Sequence, residues 1–288
     1  MDQLTIIYGA GNAQLPATED DYGGVVVEMK EHMDSDVFHA LLKTSMLQWK
    51  LQGKKGVWIK LPIDLVNLVE TAVKEGFSYH HAEPKYLMLA HWLAETTNTL
   101  PVNASHIARV GAIVLNDKQE ILVVQEKIGI LQGVWKISTG ILEQGEDIHV
   151  GVVREVKEET GIVTEFVEVL AFSQKHDVFF GKSEVLFLCM MRPLSFDIQI
   201  QDSEIEAAKW MPLEEYAAQT CAQEQSLREQ ITKLCRTKLG RGCTGFTPTD
   251  VYWRRSFLSW KTPYLQHFQV PLGIEEKSDI RSTTPLPG

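Results

Sequence analysis

The chain has 288 residues and a formal net charge of −10, and 44% of its residues are hydrophobic and 23% charged. This length leaves room for two domains, and the composition is that of an ordinary globular protein. The acidic balance argues against a main activity on a nucleic-acid backbone. It does not exclude a phosphorylated substrate, because divalent metals can supply positive charge locally.

The sequence also disfavours a membrane-spanning protein, a secreted protein and a zinc-binding protein. No apolar run approaches about 18 residues, so we predict no membrane span. The N-terminal stretch MDQLTIIYGAGNAQ lacks a basic region and does not resemble a secretory signal. The four cysteines form no CxxC pair, which favours free thiols in a reducing compartment over a zinc site; they are Cys189, Cys221, Cys235 and Cys243.

The first third of the chain predicts a compact α/β unit after a loose lead-in at residues 1–20. Asp34 or Ser35 suits the N-cap of its first helix, and Gly76 suits the end of its second. Apolar spacing predicts strands and helices: strands at Gly24–Met29, Gly56–Leu61, Phe77–His80 and Tyr86–Leu93, and helices at Asp36–Leu51 and Ile63–Glu75. The polar stretch AETTNTLPVNASH, residues 94–106, predicts a linker.

The second part is richer in strands. Strands are predicted from short apolar runs between turn residues: Val110–Leu115, Ile121–Gln125, Val134–Ser138, Val163–Phe172, Glu184–Arg192 and Ala207–Met211. Helices are predicted at Asp147–Thr160, Pro212–Ala218 and Ser226–Leu239. Glycine, proline and polar residues increase from Gly240, and the final stretch EEKSDIRSTTPLPG predicts disorder.

The helix at Asp147–Thr160 carries a cluster of like charges. Ile148, Val152, Val153 and Val156 form an apolar stripe that should face the core, and Gly161 suits a left-handed end. Off this stripe, three carboxylates lie three and four residues apart, a spacing that costs roughly 0.2–0.5 kcal/mol per like-charged pair; they are Glu155, Glu158 and Glu159. A solvated face partly neutralised by Arg154 and Lys157 is one explanation. A hard cation such as magnesium or manganese is the other.

The wider spacing favours the metal. Gly140 is followed after five residues by Glu146, and after seven more by the run REVKEETGI that starts at Arg154. This resembles the complete signature of the Nudix hydrolases, GX5EX7REUXEEXGU with U an aliphatic residue, at all nine specified positions. The resemblance implies an α/β/α sandwich with a mixed sheet, and a metal-dependent attack of water on a diphosphate.

The same resemblance implies roles for the signature residues. Glu155, Glu158 and Glu159 would ligate Mg²⁺ or Mn²⁺. Gly140 would let the backbone approach the metal, because it has no side chain. Arg154 and Glu146 would form an ion pair that orients the ligands, and Gly161 would cap the helix. Ser138 stands where a proline is expected, which could loosen the loop that presents Gly140.

Further segments resemble the plant Nudix hydrolases that act on ADP-ribose and NADH. These segments include ILVVQE at 121–126, GVWK at 133–136 and EIEAAKWMPLEEY at 204–216. The stretches DYGGVVV and HHAEPKYLMLAHWL resemble the pre-Nudix domain of those enzymes. The implied organisation is a lead-in at 1–20, a pre-Nudix domain at 21–100, a Nudix domain at 101–240 and an irregular, partly disordered tail at 241–288. Cytoplasmic location and homodimerisation are implied by resemblance alone.

The general base and the substrate contacts are less defined. Glu204, before the last predicted sheet strand, is a candidate base, although surface acids on polar loops are common; Glu184 is a weaker one. Aromatic residues could face an adenine, but most such residues pack in the core; the candidates are Trp135, Phe172, Phe179 and Phe180. His176 is predicted on a loop near the site. His80 and His81, adjacent in a strand, should point to opposite faces and form no metal pair.

Three functions remain open at this point. The first is hydrolysis of ADP-ribose to AMP and ribose 5-phosphate, with NADH as a second substrate. The second is hydrolysis of another diphosphate, such as an oxidised nucleotide, coenzyme A or a capped RNA, of which the acidic charge disfavours RNA. The third is a non-catalytic ADP-ribose-binding regulator, a role that usually loses the glutamates this chain retains.

Overall fold

The computed structural model describes residues 14–220, 225–241, 247–251 and 265–269. The chain divides into two compact units, residues 1–105 and 106–288. The predicted lead-in and tail lie partly outside the described residues, and the predicted disorder at the end lies wholly outside them. In the part of the chain that the structure describes, no helix has the length and apolar character needed to cross a membrane.

The first unit is built on one five-stranded sheet in the order β1-β2-β3-β5-β4. Only β2 and β3 run parallel; the other neighbours are antiparallel. The strands are β1 (Thr18–Glu19), β2 (Val25–Glu28), β3 (Gly56–Pro62), β4 (Ser78–Glu83) and β5 (Tyr86–Trp92). The helical elements are α1 (Ser35–Leu51), a 3-10 helix (Ile63–Leu68) and α2 (Val69–Lys74).

Helix α1 begins as the sequence predicts. The Asp34 carboxylate accepts hydrogen bonds from the amides of Asp36 at 2.8 Å and Val37 at 3.4 Å, which satisfies two amides of the first turn. The single helix predicted at 63–75 is wrong, since the backbone of Leu65 is not helical, with φ −105° and ψ 26°, and the segment divides there. Alternate residues of β3 are buried in a core with α1; they are Val57, Ile59 and Leu61.

The predicted orientation of His80 and His81 is also wrong. The pairing of β4 with β5 shifts between Tyr79 and His81, which leaves His80 as an extra, bulged residue. A bulge interrupts the strict alternation of side chains along a strand. The two imidazoles consequently meet, with 2.6 Å between their Nδ1 atoms.

The second unit contains a mixed four-stranded sheet in the order β8-β6-β10-β9 and a two-stranded sheet of β11 and β7. Its strands are β6 (His106–Val114), β7 (Glu120–Glu126), β8 (Ser138–Ile141), β9 (Thr164–Phe179), β10 (Lys182–Pro193) and β11 (Ile205–Pro212). Its helices are α3 (Ile148–Thr160), α4 (Leu213–Ala217) and α5 (Gln225–Arg241). The parallel pairing of β6 with β10 makes the sheet mixed.

Two hydrophobic cores give this unit its layers. Val152 and Val156 of α3 pack with Val110 and Ala112 of β6 in one core. Ile113 and Leu115, along the same stretch of chain, pack with Tyr216 and Ile231 from the α4 and α5 region in the other. The strands thus lie between α3 and the α4–α5 pair, which confirms the predicted α/β/α sandwich.

Three strand predictions differ from the structure. The strand predicted at 134–138 is wrong, because β8 begins only at Ser138 and extends through Gly140 to Ile141. The strands predicted to end at Phe172 and to begin at Glu184 are longer, and form one extended hairpin of β9 and β10. Two strands lie within the predicted irregular tail and pair antiparallel; they are β12 (Thr247–Val251) and β13 (Leu265–Gln269).

Candidate active site

Helix α3 is specified by its own sequence. Val152 and Val156 of the predicted stripe are fully buried, and Ile148 and Val153 pack against the same core. Gly161 ends the helix in the left-handed region at φ 72°, and its amide donates to the carbonyl of Lys157 at 3.0 Å. Because the apolar stripe packs in the core and Gly161 ends the helix, the acidic face on the other side of α3 is held in a fixed position.

Arg154 is the centre of that acidic face. Its Nε and one terminal nitrogen donate to the two oxygens of Glu146 at 2.7 and 2.8 Å. The other terminal nitrogen donates to Glu155 at 2.9 Å and to Glu158 at 3.0 Å. Lys157 is not part of this group, since its ammonium donates to the carbonyl of Gly161. One guanidinium therefore relieves much of the carboxylate repulsion.

The protonation of these carboxyl groups differs with their surroundings. The hydrogen bonds from Arg154 lower the pKa of Glu146. Burial raises the pKa of Glu155, although Arg154 opposes the shift. Burial also raises the pKa of Glu159 to about 7, against the opposing effects of Ser138 and Lys136. Glu158 is the most accessible of the three clustered glutamates, with 57% of its side chain exposed.

Two features distinguish Glu159 and Glu155 from ordinary surface carboxylates. Glu159 is 8% exposed, and its buried Oε2 makes no hydrogen bond of normal geometry among the described residues; the nearby Ser138 hydroxyl opposes the rise in pKa but likewise makes no such bond. A Cβ at Gly140 would lie 1.8 Å from Cδ of Glu155, so no other amino acid fits there without displacing that carboxylate. In the described part of the chain, no three His, Cys, Asp or Glu side chains converge as a ready-made metal site.

A second polar network lies beside Glu159, and the sequence did not indicate it. The nearly buried Lys136 ammonium contacts a Glu126 oxygen at 2.7 Å and donates to the Thr139 hydroxyl at 2.9 Å. Arg109 donates to the same hydroxyl at 3.1 Å and to Glu184 at 3.1 Å. Two cations thus hold Thr139, the residue directly before Gly140.

This network also changes the interpretation of two predicted residues. Glu184 is buried and paired with Arg109, so it is engaged rather than free to act as a base. Ser138 does not loosen the segment before Gly140, because it belongs to β8 and pairs with Ala112 of β6. The pairing of β8 with β6 and the hydrogen bonds to Thr139 hold this segment in place.

Glu204 lies on an exposed turn that is anchored at two points. The amide of Gln201 donates to the carbonyl of Glu159 at 3.2 Å, which connects the turn to the end of α3. The amide of Lys127 donates to the carbonyl of Glu204 at 2.8 Å, which connects it to the end of β7. Glu204 is therefore tied through its backbone to segments that carry Glu159 and Glu126.

The predicted substrate contacts are spread over the unit. Trp135 is half-buried between Val134 and Lys136, and the ammonium of Lys209 lies 4.9 Å from its ring centroid. Phe172, 67% exposed, and His176 lie on β9, at the opposite edge of the sheet from β8. The loop predicted around His176 is wrong, because the hairpin continues beyond it and its Nδ1 contacts the Ser183 hydroxyl at 2.9 Å. Phe180, at the hairpin turn, is 96% exposed.

Comparisons with known proteins cover both units. A model described as the Nudix hydrolase domain matches residues 15–93, and one described as the NUDIX domain matches residues 105–234. "Nudix hydrolase 2" of Arabidopsis thaliana is 55% identical over 239 residues, which cover 82% of this chain and 86% of that protein. "Nudix hydrolase 10" of the same plant is 53% identical over 253 residues, with 87% and 88% covered.

A solved structure shows a more distant likeness. The NUDIX domain of Shewanella oneidensis NrtR complexed with ADP ribose is 21% identical, with a TM-score of 0.39, and the match covers 46% of this chain and 88% of that one. This likeness is too weak to bear on function. The family models and the plant relatives are sufficient by themselves: the chain belongs to the Nudix hydrolase family.

Proposed function

We propose that this Nudix hydrolase cleaves a nucleoside diphosphate-linked substrate, with ADP-ribose as the preferred substrate and NADH as a second. One observation carries the proposal. Within the complete signature, Arg154 forms ion pairs with Glu146, Glu155 and Glu158. A buried oxygen of Glu159, in contrast, has no hydrogen-bond partner among the described residues. The segments that resemble plant enzymes acting on ADP-ribose and NADH support the choice of substrate.

The oxygen ligands that these residues offer suit a divalent cation, although their side chains do not already converge on one point. Hard cations take carboxylate and carbonyl oxygens. Glu155, Glu158 and Glu159, with the backbone carbonyl of Gly140, would hold Mg²⁺ or Mn²⁺. The unpartnered oxygen of Glu159 and the close packing of the Glu155 carboxylate on the Gly140 backbone support this set. When bound, such an ion lowers the pKa of water and neutralises phosphate charge.

The chain's own groups prepare the reaction. Arg154 holds the acidic side chains in place through four hydrogen bonds to Glu146, Glu155 and Glu158. In the proposed reaction, a water oxygen attacks one phosphorus of the diphosphate, and the bond from that phosphorus to the bridging oxygen breaks. From ADP-ribose this gives AMP and ribose 5-phosphate. Glu204 is proposed to accept the proton from the water, because its turn is anchored at the end of α3.

A substrate panel tests this function. ADP-ribose, NADH, coenzyme A, an oxidised nucleotide and a capped RNA are compared by kcat/KM with magnesium and with manganese. We expect the highest value for ADP-ribose. Glu158→Gln should lose turnover while its circular dichroism stays that of the wild type. Glu206→Gln, an exposed carboxylate on β11, is the matched control and should retain activity.

Two results would contradict the proposal. A higher kcat/KM for coenzyme A, an oxidised nucleotide or RNA would assign another diphosphate. Binding of ADP-ribose without hydrolysis in any divalent ion would indicate a regulator. Homodimerisation and a cytoplasmic location are proposed from resemblance alone, and sedimentation of the full chain tests the first of these.

A further inference from the structure

The first unit contains a built cleft that the proposed hydrolysis does not use. Its volume is about 740 Å³, within the range of roughly 300–1,000 Å³ typical of small-molecule sites. Its walls come from four strands and from the segment at 99–101. The residues central to its chemistry are Trp58, Met88, Trp92, His80, His81 and Leu100.

The cleft lies on the sheet face opposite the core. Val57 and Ile59 of β3 are buried with the residues of α1, and Trp58, between them, points to the other side by the alternation of the strand. Met88 and Trp92 of β5 stand on the same side of that sheet and also line the cleft. Two indole rings and a thioether offer a broad apolar, polarisable surface.

The segment at 99–101 is held as a wall of the cleft. The carbonyl of Pro101 accepts a hydrogen bond from Nε2 of His80 at 2.8 Å. Leu100 packs closely on Gly56, where an added Cβ would lie 2.8 Å from a Leu100 methyl carbon. The wall is thus fixed by one hydrogen bond and one close contact.

The two histidines of the bulge satisfy each other. A carbonyl can only accept, so Nε2 of His80 carries the hydrogen that it gives to Pro101. In the uncharged pair, Nδ1 of His80 then accepts from Nδ1 of His81, across 2.6 Å. Nε2 of His81 is left to accept from the Tyr86 hydroxyl at 3.4 Å. All four imidazole nitrogens therefore have partners within the domain.

The other polar groups of the lining fall into two sets, those with partners among the described residues of the unit and those without, and the second set includes the Lys55 ammonium and the hydroxyls of Tyr22 and Thr99. The indole N–H of Trp92 donates to the carbonyl of Thr96 at 2.8 Å. One Asp20 oxygen accepts from the amides of Tyr22 and Gly24. Asp20 and Lys55 contribute opposite charges to the lining, so it has no net charge. Within the described ranges, the indole N–H of Trp58 has no acceptor.

We propose that this cleft binds a flat, uncharged aromatic molecule that carries one hydrogen-bond acceptor. The indole and thioether walls match an aromatic ring, and the balanced charge gives no preference for an ion. Because the histidine pair and Trp92 are already satisfied, the Trp58 N–H is the donor on the aromatic wall that an acceptor of the ligand would meet. The ligand class rests on the first unit alone and is independent of the proposed hydrolysis.

The test uses Prodan, an uncharged fluorescent naphthalene ketone, with the full-length protein. We expect saturable binding of one molecule per chain, with a blue-shifted emission and a dissociation constant on the order of 100 µM. Met88→Trp, which fills the cleft, should weaken binding by about tenfold or more. Trp58→Phe keeps a flat ring but removes the N–H, and should weaken binding by about fivefold. Leu47→Trp, on the exposed side of α1, is the matched control and should bind as the wild type does.

Several results would overturn the proposal. These are no saturable signal, binding unchanged in both cleft variants, tighter binding of the anionic naphthalene sulfonate ANS, or displacement of Prodan by ADP-ribose. If a chain lacking residues 1–13 binds Prodan and the full chain does not, the N-terminal segment occupies the cleft and the proposal fails. If Met88→Trp does not fold, Trp58→Phe and the ADP-ribose competition still decide the matter.

Discussion

Replacing Gly140 by alanine adds a single carbon atom, the Cβ, to the candidate active site. The new Cβ would lie 1.8 Å from Cδ of Glu155 and 1.9 and 2.1 Å from its two oxygens. Ordinary contact begins at 3.4 Å, so the carboxylate must retreat by roughly 1.6 Å. That movement breaks the 2.9 Å hydrogen bond from Arg154 and displaces a proposed metal ligand. A misplacement of about 1 Å in a catalytic arrangement can cost about a hundredfold in rate.

The assay is kcat/KM for ADP-ribose with saturating magnesium, measured beside thermal unfolding. We expect Gly140→Ala to lose about a hundredfold in kcat/KM. Its stability should change by only about 1 kcal/mol or less, because Arg154 keeps both bonds to Glu146. Gly240→Ala in α5 is the matched control: its Cβ meets nothing within 4 Å, so activity should not change. Activity of Gly140→Ala within threefold of the wild type would refute the reasoning.

Three further predictions concern stability and the neighbouring network. Gly161→Ala should lower the free energy of unfolding in urea by about 2 kcal/mol, because φ is 72° and the Cβ would lie 2.8 Å from a neighbouring side chain; a loss below about 0.5 kcal/mol would contradict the left-handed cap. Lys136→Met removes one of the two cations that donate to Thr139, and should lower both kcat/KM and Mn²⁺ affinity by about tenfold. Values equal to those of the wild type would show that this contact is incidental. The pKa of Glu146 is lowered in the folded state, so its stabilisation is complete above its unfolded pKa of about 4.3 and is lost as pH falls through the lower folded value. Arg154→Met should flatten this acid limb of urea stability against pH, and an unchanged limb would be inconsistent with the ion pair.

Features encoded within a few residues could be predicted from the sequence. The stripe of Val152 and Val156, the cap at Asp34 and the left-handed end at Gly161 all depend on local spacing, and each is present in the structure. The mixed sheet and the helix layers followed from the resemblance to a family whose signature spans 23 residues, Gly140 to Ile162.

Features that depend on distant pairing could not be predicted. His80 meets His81 only because β4 pairs with β5 through a bulge, and the strand pattern contains no sign of that shift. The two hydrogen bonds to the Thr139 hydroxyl come from Arg109 on β6 and from Lys136, whose segment pairs with β7. In both cases the contact is set by the sheet register, which neighbouring residues do not reveal.

The extent of the β9–β10 hairpin illustrates a further limit. The polar residues between Phe172 and Glu184 favour a loop by composition, and His176 is predicted on that loop. In the structure the strands continue, and the chain reverses at Phe180 and Gly181, whose φ values are 45° and 74°. Two consecutive positive φ values make a tight hairpin turn, and a phenylalanine at the first of them gives little warning of it.

Titration with Mn²⁺, followed by the loss of free-ion EPR signal, tests the central proposal most directly. The wild-type chain should bind Mn²⁺ saturably and hydrolyse ADP-ribose at the same ion concentrations. Glu159→Gln replaces the carboxylate that carries the unpartnered oxygen with an uncharged amide. This variant should bind Mn²⁺ about tenfold or more weakly and should lose turnover. Equal Mn²⁺ affinity in the wild type and in Glu159→Gln would show that the glutamates of α3 do not hold the ion.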